Sequence, residues 1–311
     1  MERGDTPAGT HLPVLLEETL AALRPAPGEI VLDCTLGRGG HARALAARVG
    51  AAGRVIGLDR DAEELAQTVE RLAKEGVAIR THHLNFAGAA RAVAAEGLEG
   101  VDCVLADLGV SSMQIDRAER GFSFKEDGPL DMRMDRSRGL PASQWLAAAD
   151  AASIARTLRD HGDEPAADAI AAAIAVRLAD GRPFATTRDL AEVVMRAQGV
   201  DPRTWRQANA FQRHPAARTF QALRIAVNRE DEALAQLLRD LPWILRPGGR
   251  AAVIAFHSGE EDRVAAAFAK GLADGLFASV AETALQPSLD EKRLNPRSRS
   301  ARLRWAVRAS T

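Results

Sequence analysis

Ile30-Val31-Leu32-Asp33-Cys34-Thr35-Leu36-Gly37-Arg38-Gly39-Gly40-His41 runs from an apolar stretch through an acid and a three-glycine loop into a helical pattern. That order predicts a strand, a tight turn and a helix N-terminus. Glycines let backbone approach a ligand closely and adopt φ > 0 where other residues cannot. The free N–H groups of the first helical turn then face the ligand. A nucleotide-like cofactor suits such a loop.

The same rhythm extends outward. Val14–Leu23 reads as a short amphipathic helix ending at Pro25. Strand-like runs Glu29–Cys34, Arg54–Leu58, Val77–His82 and Val101–Ala106 alternate with helical patterns His41–Val49, Asp61–Glu75 and Ala87–Ala95. Such alternation predicts an α/β fold, a Rossmann-like parallel sheet with helices on both faces. The rhythm stops at Asp107. Leu108–Asp135 is polar and charged, and Pro141–Arg213 is helical in pattern and rich in alanine. One long helix, Pro215–Leu238, is expected next, then the turn Pro247-Gly248-Gly249 and a buried strand Arg250–Phe256. The reading is one sheet domain, residues 1–125 and 214–311, interrupted after its fourth strand by an inserted helical domain, 126–213. Trp145, Trp205 and Phe211 are expected in the insertion's core.

Composition bounds the function. The chain has 311 residues, 27% of them charged, and a net charge of −1, which fits a globular protein without a global electrostatic bias. Cys34 and Cys103, its two cysteines, each follow an aspartate in an apolar run and read as small buried strand residues. Neither a zinc site nor a disulfide framework is expected. No apolar stretch reaches membrane-spanning length and no signal peptide is evident, so the cytoplasm is the expected compartment.

Two acids sit where such sheets bind ligands. Asp59 ends the second strand, about 20 residues past the glycine loop, where an acid accepts hydrogen bonds from ribose hydroxyls. Asp107 ends the fourth strand. The bland readings are an N-cap at Asp59 and a turn former at Asp107. NAD and S-adenosylmethionine both fit this frame. The loop lacks the third glycine of a dinucleotide fingerprint, which would fall at Ala42, and the insertion replaces a second βαβ half. Both features favour S-adenosylmethionine.

Further motifs are Asp107-Leu108-Gly109-Val110-Ser111-Ser112-Met113-Gln114, Glu119-Arg120-Gly121-Phe122-Ser123-Phe124 and Asp127-Gly128-Pro129-Leu130-Asp131-Met132-Arg133-Met134-Asp135. With His11-x-Pro13-Val14-Leu15-Leu16, His214-Pro215-Ala216-Ala217-Arg218-Thr219-Phe220-Gln221, Phe256-His257-Ser258 and Asn295-Pro296-Arg297-Ser298-Arg299-Ser300, they span nearly the whole chain. Together they resemble the ribosomal small-subunit methyltransferase H family. The resemblance implies an S-adenosyl-L-methionine-dependent methyltransferase sheet that methylates the N4 amine of a cytosine in the decoding region of 16S rRNA. It implies that Gly39, Gly40 and His41 line the amino-acid end of the cofactor. Asp59 would hold the ribose, Phe86 pack the adenine, and Asp107 and Gln114 complete the pocket. Two segments depart from the family pattern. Gly-Glu-Glu-Arg-Phe-Ala is replaced by Gly162-Asp163-Glu164-Pro165-Ala166-Ala167, and Gly259 lengthens the stretch after Phe256-His257-Ser258.

An exocyclic cytosine amine is a weak nucleophile because its lone pair is delocalised into the ring. A site helps by positioning the amine and accepting its protons' hydrogen bonds. Asp107 is the one carboxylate placed to do this, and the backbone carbonyls of Leu108 to Val110 are candidates too. Ser111 and Ser112 read as loop residues, not nucleophiles. The chain has no tyrosine, so Phe122 or Phe124 is expected to stack on the base. Phosphate contacts require local cationic clusters whatever the total charge. The tail Lys292–Arg308, including Arg297, Arg299 and Arg302, supplies one; Lys125, Arg133, Arg136 and Arg138, and Arg213, Arg218 and Arg224, supply others. The expected partner is 16S rRNA or the small ribosomal subunit, with the target base unstacked. Other classes left open are an NAD-dependent oxidoreductase, a non-catalytic ribosome-assembly factor and a DNA amino-methyltransferase lacking the usual Pro-Pro-aromatic loop. For the insertion, an RNA clamp, a cover over the cofactor and a homodimer contact all stay open.

Overall fold

Each strand sends alternate side chains to opposite faces, and the sheet here is apolar on both. The computed structural model describes residues 13–205 and 214–310; His11, Phe211 and Arg213 lie outside them. In chain order the elements begin with α1 (Leu16–Leu23), β1 (Ile30–Asp33), α2 (Gly40–Val49), β2 (Arg54–Asp59), α3 (Ala62–Lys74), β3 (Arg80–His83), α4 (Ala89–Ala95) and β4 (Val101–Asp107). Five helices follow: α5 (Ser112–Asp116), α6 (Ala142–Ala148), α7 (Ala151–Gly162), α8 (Ala167–Ala179) and α9 (Thr187–Ala197). The chain continues with α10 (Ala217–Asn228), α11 (Glu230–Ile244), β5 (Leu245–Ala255), α12 (Ser258–Ala273), β6 (Phe277–Val280), α13 (Leu289–Leu294) and β7 (Arg302–Arg308).

The seven strands form one sheet in the order β3-β2-β1-β4-β5-β7-β6. β1 to β5 pair in parallel, and β7 runs antiparallel to both β5 and β6. Leu32, Val104 and Val253 join one core with Leu237 and Leu241 of α11 and Phe268 of α12. Their neighbours Val31, Leu105 and Ile254 join the opposite core with Leu20 of α1, Leu45 of α2 and Leu65 of α3. The α/β reading therefore holds. Strand order reverses between β1 and β4, and open α/β sheets bind ligands outside the carboxyl ends of strands at such a point. Asp33 and Asp107 end those two strands.

Two compact units divide the chain, residues 1–109 with 231–311 and residues 110–230. The divisions fall outside the expected 125/126 and 213/214. Phe122 and Phe124 pack into a core built by Leu146, Leu158, Ile174 and Leu190, to which α10 adds Phe220 and Leu223. Trp145 packs against the same core.

The expected single helix 215–238 is two helices. Arg229 takes the left-handed conformation (φ 51) and separates α10 from α11. Asn228, buried, holds this break. Its Oδ1 accepts from Met134 N (2.9 Å), and its Nδ2 donates to Met132 O (2.8 Å) and Arg224 O (2.9 Å). The tertiary tie outweighs a continuous helical pattern. β5 also starts before its expected turn. Leu245 pairs with Val101 and Arg250 with Cys103, so residues 246–249 bulge out of the ladder.

Asn228→Ala leaves buried backbone groups of Met132 and Met134 unpaired, which costs about 2–3 kcal/mol. The expected outcome is a clearly lowered midpoint of thermal unfolding; an unchanged midpoint would show that the tie does not hold the helix break.

Candidate functional site

The carboxyl ends of β2, β1 and β4 each carry an aspartate. Asp59 braces the glycine loop: its Oδ2 accepts from Gly37 N (2.8 Å) and its Oδ1 from Asp61 N (2.9 Å). The N-cap of α3 is Asp61, whose Oδ1 accepts from Glu64 N (3.2 Å). The capping reading of Asp59 therefore fails. The loop's glycines are demanded by the scaffold itself. Gly39 has φ +69, and a Cβ there would meet Leu72 Cδ1 at 2.8 Å; a Cβ on Gly40 would meet Pro13 Cγ at 2.6 Å. Pro13 and Gly40, apart in sequence, are one packing contact.

Asp33 is buried, 1% exposed. Its Oδ1 accepts from Thr35 N (3.1 Å), and its Oδ2 is shut off from water without a partner. Burial pushes its carboxyl up to about 7, and the nearby Asp59 charge adds to this. Thr35 also reaches across to β4, where its Oγ1 accepts from Asp107 N (2.6 Å). Asp107 Oδ1 is a second buried oxygen without a partner. Burial, then the Asp33 and Glu260 charges, raise the Asp107 carboxyl well above the usual range. His41 opens α2 beside it, buried, with Nδ1 3.7 Å from Asp107 Oδ2 and Nε2 3.0 Å from Val14 O. Burial pushes this imidazole down to about 4.

Phe86 follows β3 on a short turn whose Asn85 Oδ1 accepts from Ala87 N (3.1 Å). Its ring is half-buried against the sheet core. The sheet unit thus carries Gly39, Gly40, His41, Asp59, Phe86 and Asp107 at the ends of its first four strands. Gln114 belongs to the helical unit, where it is buried and closes the capping box of α5: Gln114 N donates to Ser111 Oγ (3.2 Å) and Ser111 N to Gln114 Oε1 (3.1 Å). Asp33 and Thr35 were passed over in sequence. The available signal was an acid closing a strand directly before the glycine loop.

The cationic residues divide sharply. Arg133 binds Asp131 through Nε (2.7 Å) and Nη2 (2.9 Å), and its Nη1 donates to Arg136 O (3.0 Å) and Gly139 O (3.4 Å). All three guanidinium nitrogens brace their own loop. The expected basic tail is instead partly sheet. β7 lies between β5 and β6, Arg304 Nε donates to Glu261 Oε1 (2.7 Å), and the Arg308 guanidinium bonds Leu245 O. Arg302 opens β7, opposite Ala255, and its Nη1 donates to Ala301 O (2.9 Å). Arg297 and Arg299 stand exposed on the turn before it. Arg218, on α10, lines a cavity of about 440 Å³ in the helical unit with Glu164, Gln198 and His214. Phe124 stacks on His214 (4.0 Å between ring centres) and meets Phe220 edge-on (5.2 Å), so the ring expected to stack on a base is already packed.

What the acids can do is constrained by charge. Buried carboxylates with unfilled acceptor positions fit a cationic or donor-rich ligand, and a sulfonium amino acid carries both features. Asp59 retains lone pairs beyond its two loop contacts, and Phe86 offers a planar apolar surface. The arrangement defines a Rossmann-like sheet with three acids at the strand ends around its switch point. Residues 8–309 match the MraW methylase family, and the chain belongs to that family. It is 46% identical over 310 residues to the "Ribosomal RNA small subunit methyltransferase H" of Anaeromyxobacter sp. (strain K), covering 94% of this chain and 96% of that one. Identity is 43% over 321 residues to the protein of the same name from Chromobacterium violaceum, covering 98% and 97%. A solved structure titled a putative rRNA-methylase, from Clostridium thermocellum, aligns over 96% of this chain and all (100%) of its own, with a TM-score of 0.46 and 13% identity.

Asp33 supplies a pH test. Its folded value, about 7, lies above its ordinary 3.8. Folding therefore takes up protons between those values, and the Asp33 contribution to stability falls as pH rises from about 4 to 7. Asn cannot ionise. Without cofactor, Asp33→Asn should match the parent near pH 4 and exceed it by up to about 4 kcal/mol at pH 8. Unfolding curves at both pH values check this; an equal or lower stability at pH 8 contradicts the assigned burial cost.

Proposed function

We propose that this chain methylates the N4 exocyclic amine of a cytosine in the decoding region of 16S rRNA, using S-adenosylmethionine. The observation that carries the reading is membership of a methylase family along residues 8–309, joined to a half-buried acid at the end of β4. Bound in the crevice, S-adenosylmethionine supplies an electrophilic methyl group. Asp59 accepts hydrogen bonds from the ribose, and Phe86 covers the adenine. Gly39, Gly40 and His41 hold the amino-acid end. For Gln114, the resemblance alone supports a cofactor role.

Asp107 is the catalytic residue in this reading. A carboxylate at the strand end accepts hydrogen bonds from the amine's protons and concentrates the lone pair on nitrogen. Two protein features favour this placement: Asp107 N is fixed by Thr35, and the side chain stays 24% exposed. Arg218, Arg297, Arg299 and Arg302 remain the proposed RNA contacts. For Arg133 the loop contacts favour a bracing role. Small-subunit rRNA, free or assembled, is the proposed partner, and the cytoplasm the proposed compartment.

Mass spectrometry of nucleosides from small-subunit rRNA incubated with the protein and S-adenosylmethionine should reveal N4-methylcytidine. Asp107→Asn should lower kcat on the order of 10²–10³-fold. Methylation of another base, or full turnover by Asp107→Asn, would overturn the reading. The double substitution Arg297→Ala, Arg299→Ala should weaken RNA binding and lower its logarithmic salt slope by about 1–2; an unchanged slope would remove these residues from the interface.

A further inference from the structure

The orientation of His41 dictates where a proton sits. Val14 O only accepts hydrogen bonds, so His41 Nε2, 3.0 Å away, carries the ring proton. Nδ1 of a neutral ring then presents a lone pair to Asp107 Oδ2 at 3.7 Å. Two acceptors facing each other in a buried setting repel. A second proton relieves this, on Asp107 as the acid or on His41 as the imidazolium; burial of the ring favours the acid.

The surroundings of Asp107 agree from each side. β1 brings Asp33, α12 brings Glu260, and α2 brings neutral His41; among the described residues the charges acting on its carboxyl are those of Asp33 and Glu260. Asp33 in turn faces Asp59 from β2 and the N–H and hydroxyl of Thr35. Asp33 Oδ2 and Asp107 Oδ1 are both shut off from water without partners. With His41 Nδ1, which faces Asp107 Oδ2 at 3.7 Å, three acceptor atoms gather near the ends of β1 and β4. An ammonium group has three N–H donors.

We propose that the empty site holds one proton on the Asp107–His41 pair and that the ammonium of the cofactor's amino-acid end takes its place, donating to Asp107, His41 and Asp33. Charge balances. A neutral acid becomes a carboxylate beside a bound cation, and the proton leaves to the buffer. Asp33 thereby becomes a cofactor-binding residue, and the carboxylate needed by the target amine is generated only when the cofactor is bound. The proposal rests on the S-adenosylmethionine reading above.

Calorimetric titration of the full chain at pH 8, above the Asp33 value of about 7 so that this carboxyl is mostly ionised, in buffers of different ionisation enthalpy measures proton release from the Asp107–His41 pair. S-adenosylhomocysteine, which has the ammonium and lacks the sulfonium, should release about one proton per molecule bound. 5′-Methylthioadenosine, which lacks the amino-acid end, should bind more weakly and release none. Asp107→Asn, which keeps an acceptor oxygen and loses the charge, should bind S-adenosylhomocysteine more weakly, and the enthalpy of that binding should lose most of its buffer dependence. Saturable binding of S-adenosylhomocysteine with no buffer dependence would overturn the proton exchange while leaving the cofactor reading intact. Equal release with 5′-methylthioadenosine would overturn the ammonium assignment. Absence of saturable binding by either compound would overturn the cofactor reading and this proposal with it.

Discussion

Three aspartates close three adjacent strands, and like charges cannot be buried together without protons or a cation to offset them. This constraint organises the sheet unit. Asp59 meets it with backbone N–H donors from Gly37 and Asp61. Asp33 meets it partly through Thr35, leaving one oxygen unfilled. Asp107 has the least support, with one buried oxygen unpartnered and a neutral imidazole nitrogen nearby. Burial keeps these groups in want of positive charge, and that want favours a cationic ligand at the switch point.

The glycine loop is held still from several sides. Gly37 N is fixed by Asp59, and Thr68 Oγ1 donates to Gly37 O (2.6 Å). Gly39 makes room for Leu72 and Gly40 for Pro13. The segment carrying Pro13 and Val14 then supplies the carbonyl that sets the His41 tautomer. Residues far apart in sequence thus cooperate to aim one ring nitrogen at one carboxylate.

Much of the sheet was legible because strands buried on both faces leave continuous apolar runs, and turn glycines punctuate them. Asp59 and Asp107 could be read from strand-end position alone. Other features depended on contacts that sequence does not display. The break at Arg229 comes from Asn228 gripping the 132–134 loop, so a pattern suited to one helix was divided. In Arg302-Leu303-Arg304-Trp305-Ala306, charge masks the alternation of a strand; Leu303 enters the core while Arg304 pairs with Glu261. Arg133 looked available for phosphate because its partner, Asp131, lies two residues away and gave no separate signal. Asp33 carries no signal in sequence beyond closing its strand, because only burial reveals its cost.

The most direct measurement is a crystal structure of the chain with S-adenosylhomocysteine. The account predicts ribose hydroxyls on Asp59, adenine against Phe86, and the ammonium bonded to Asp107, His41 Nδ1 and Asp33 Oδ2. A ligand bound elsewhere, or one whose amino-acid end points away from the ends of β1 and β4, would contradict it.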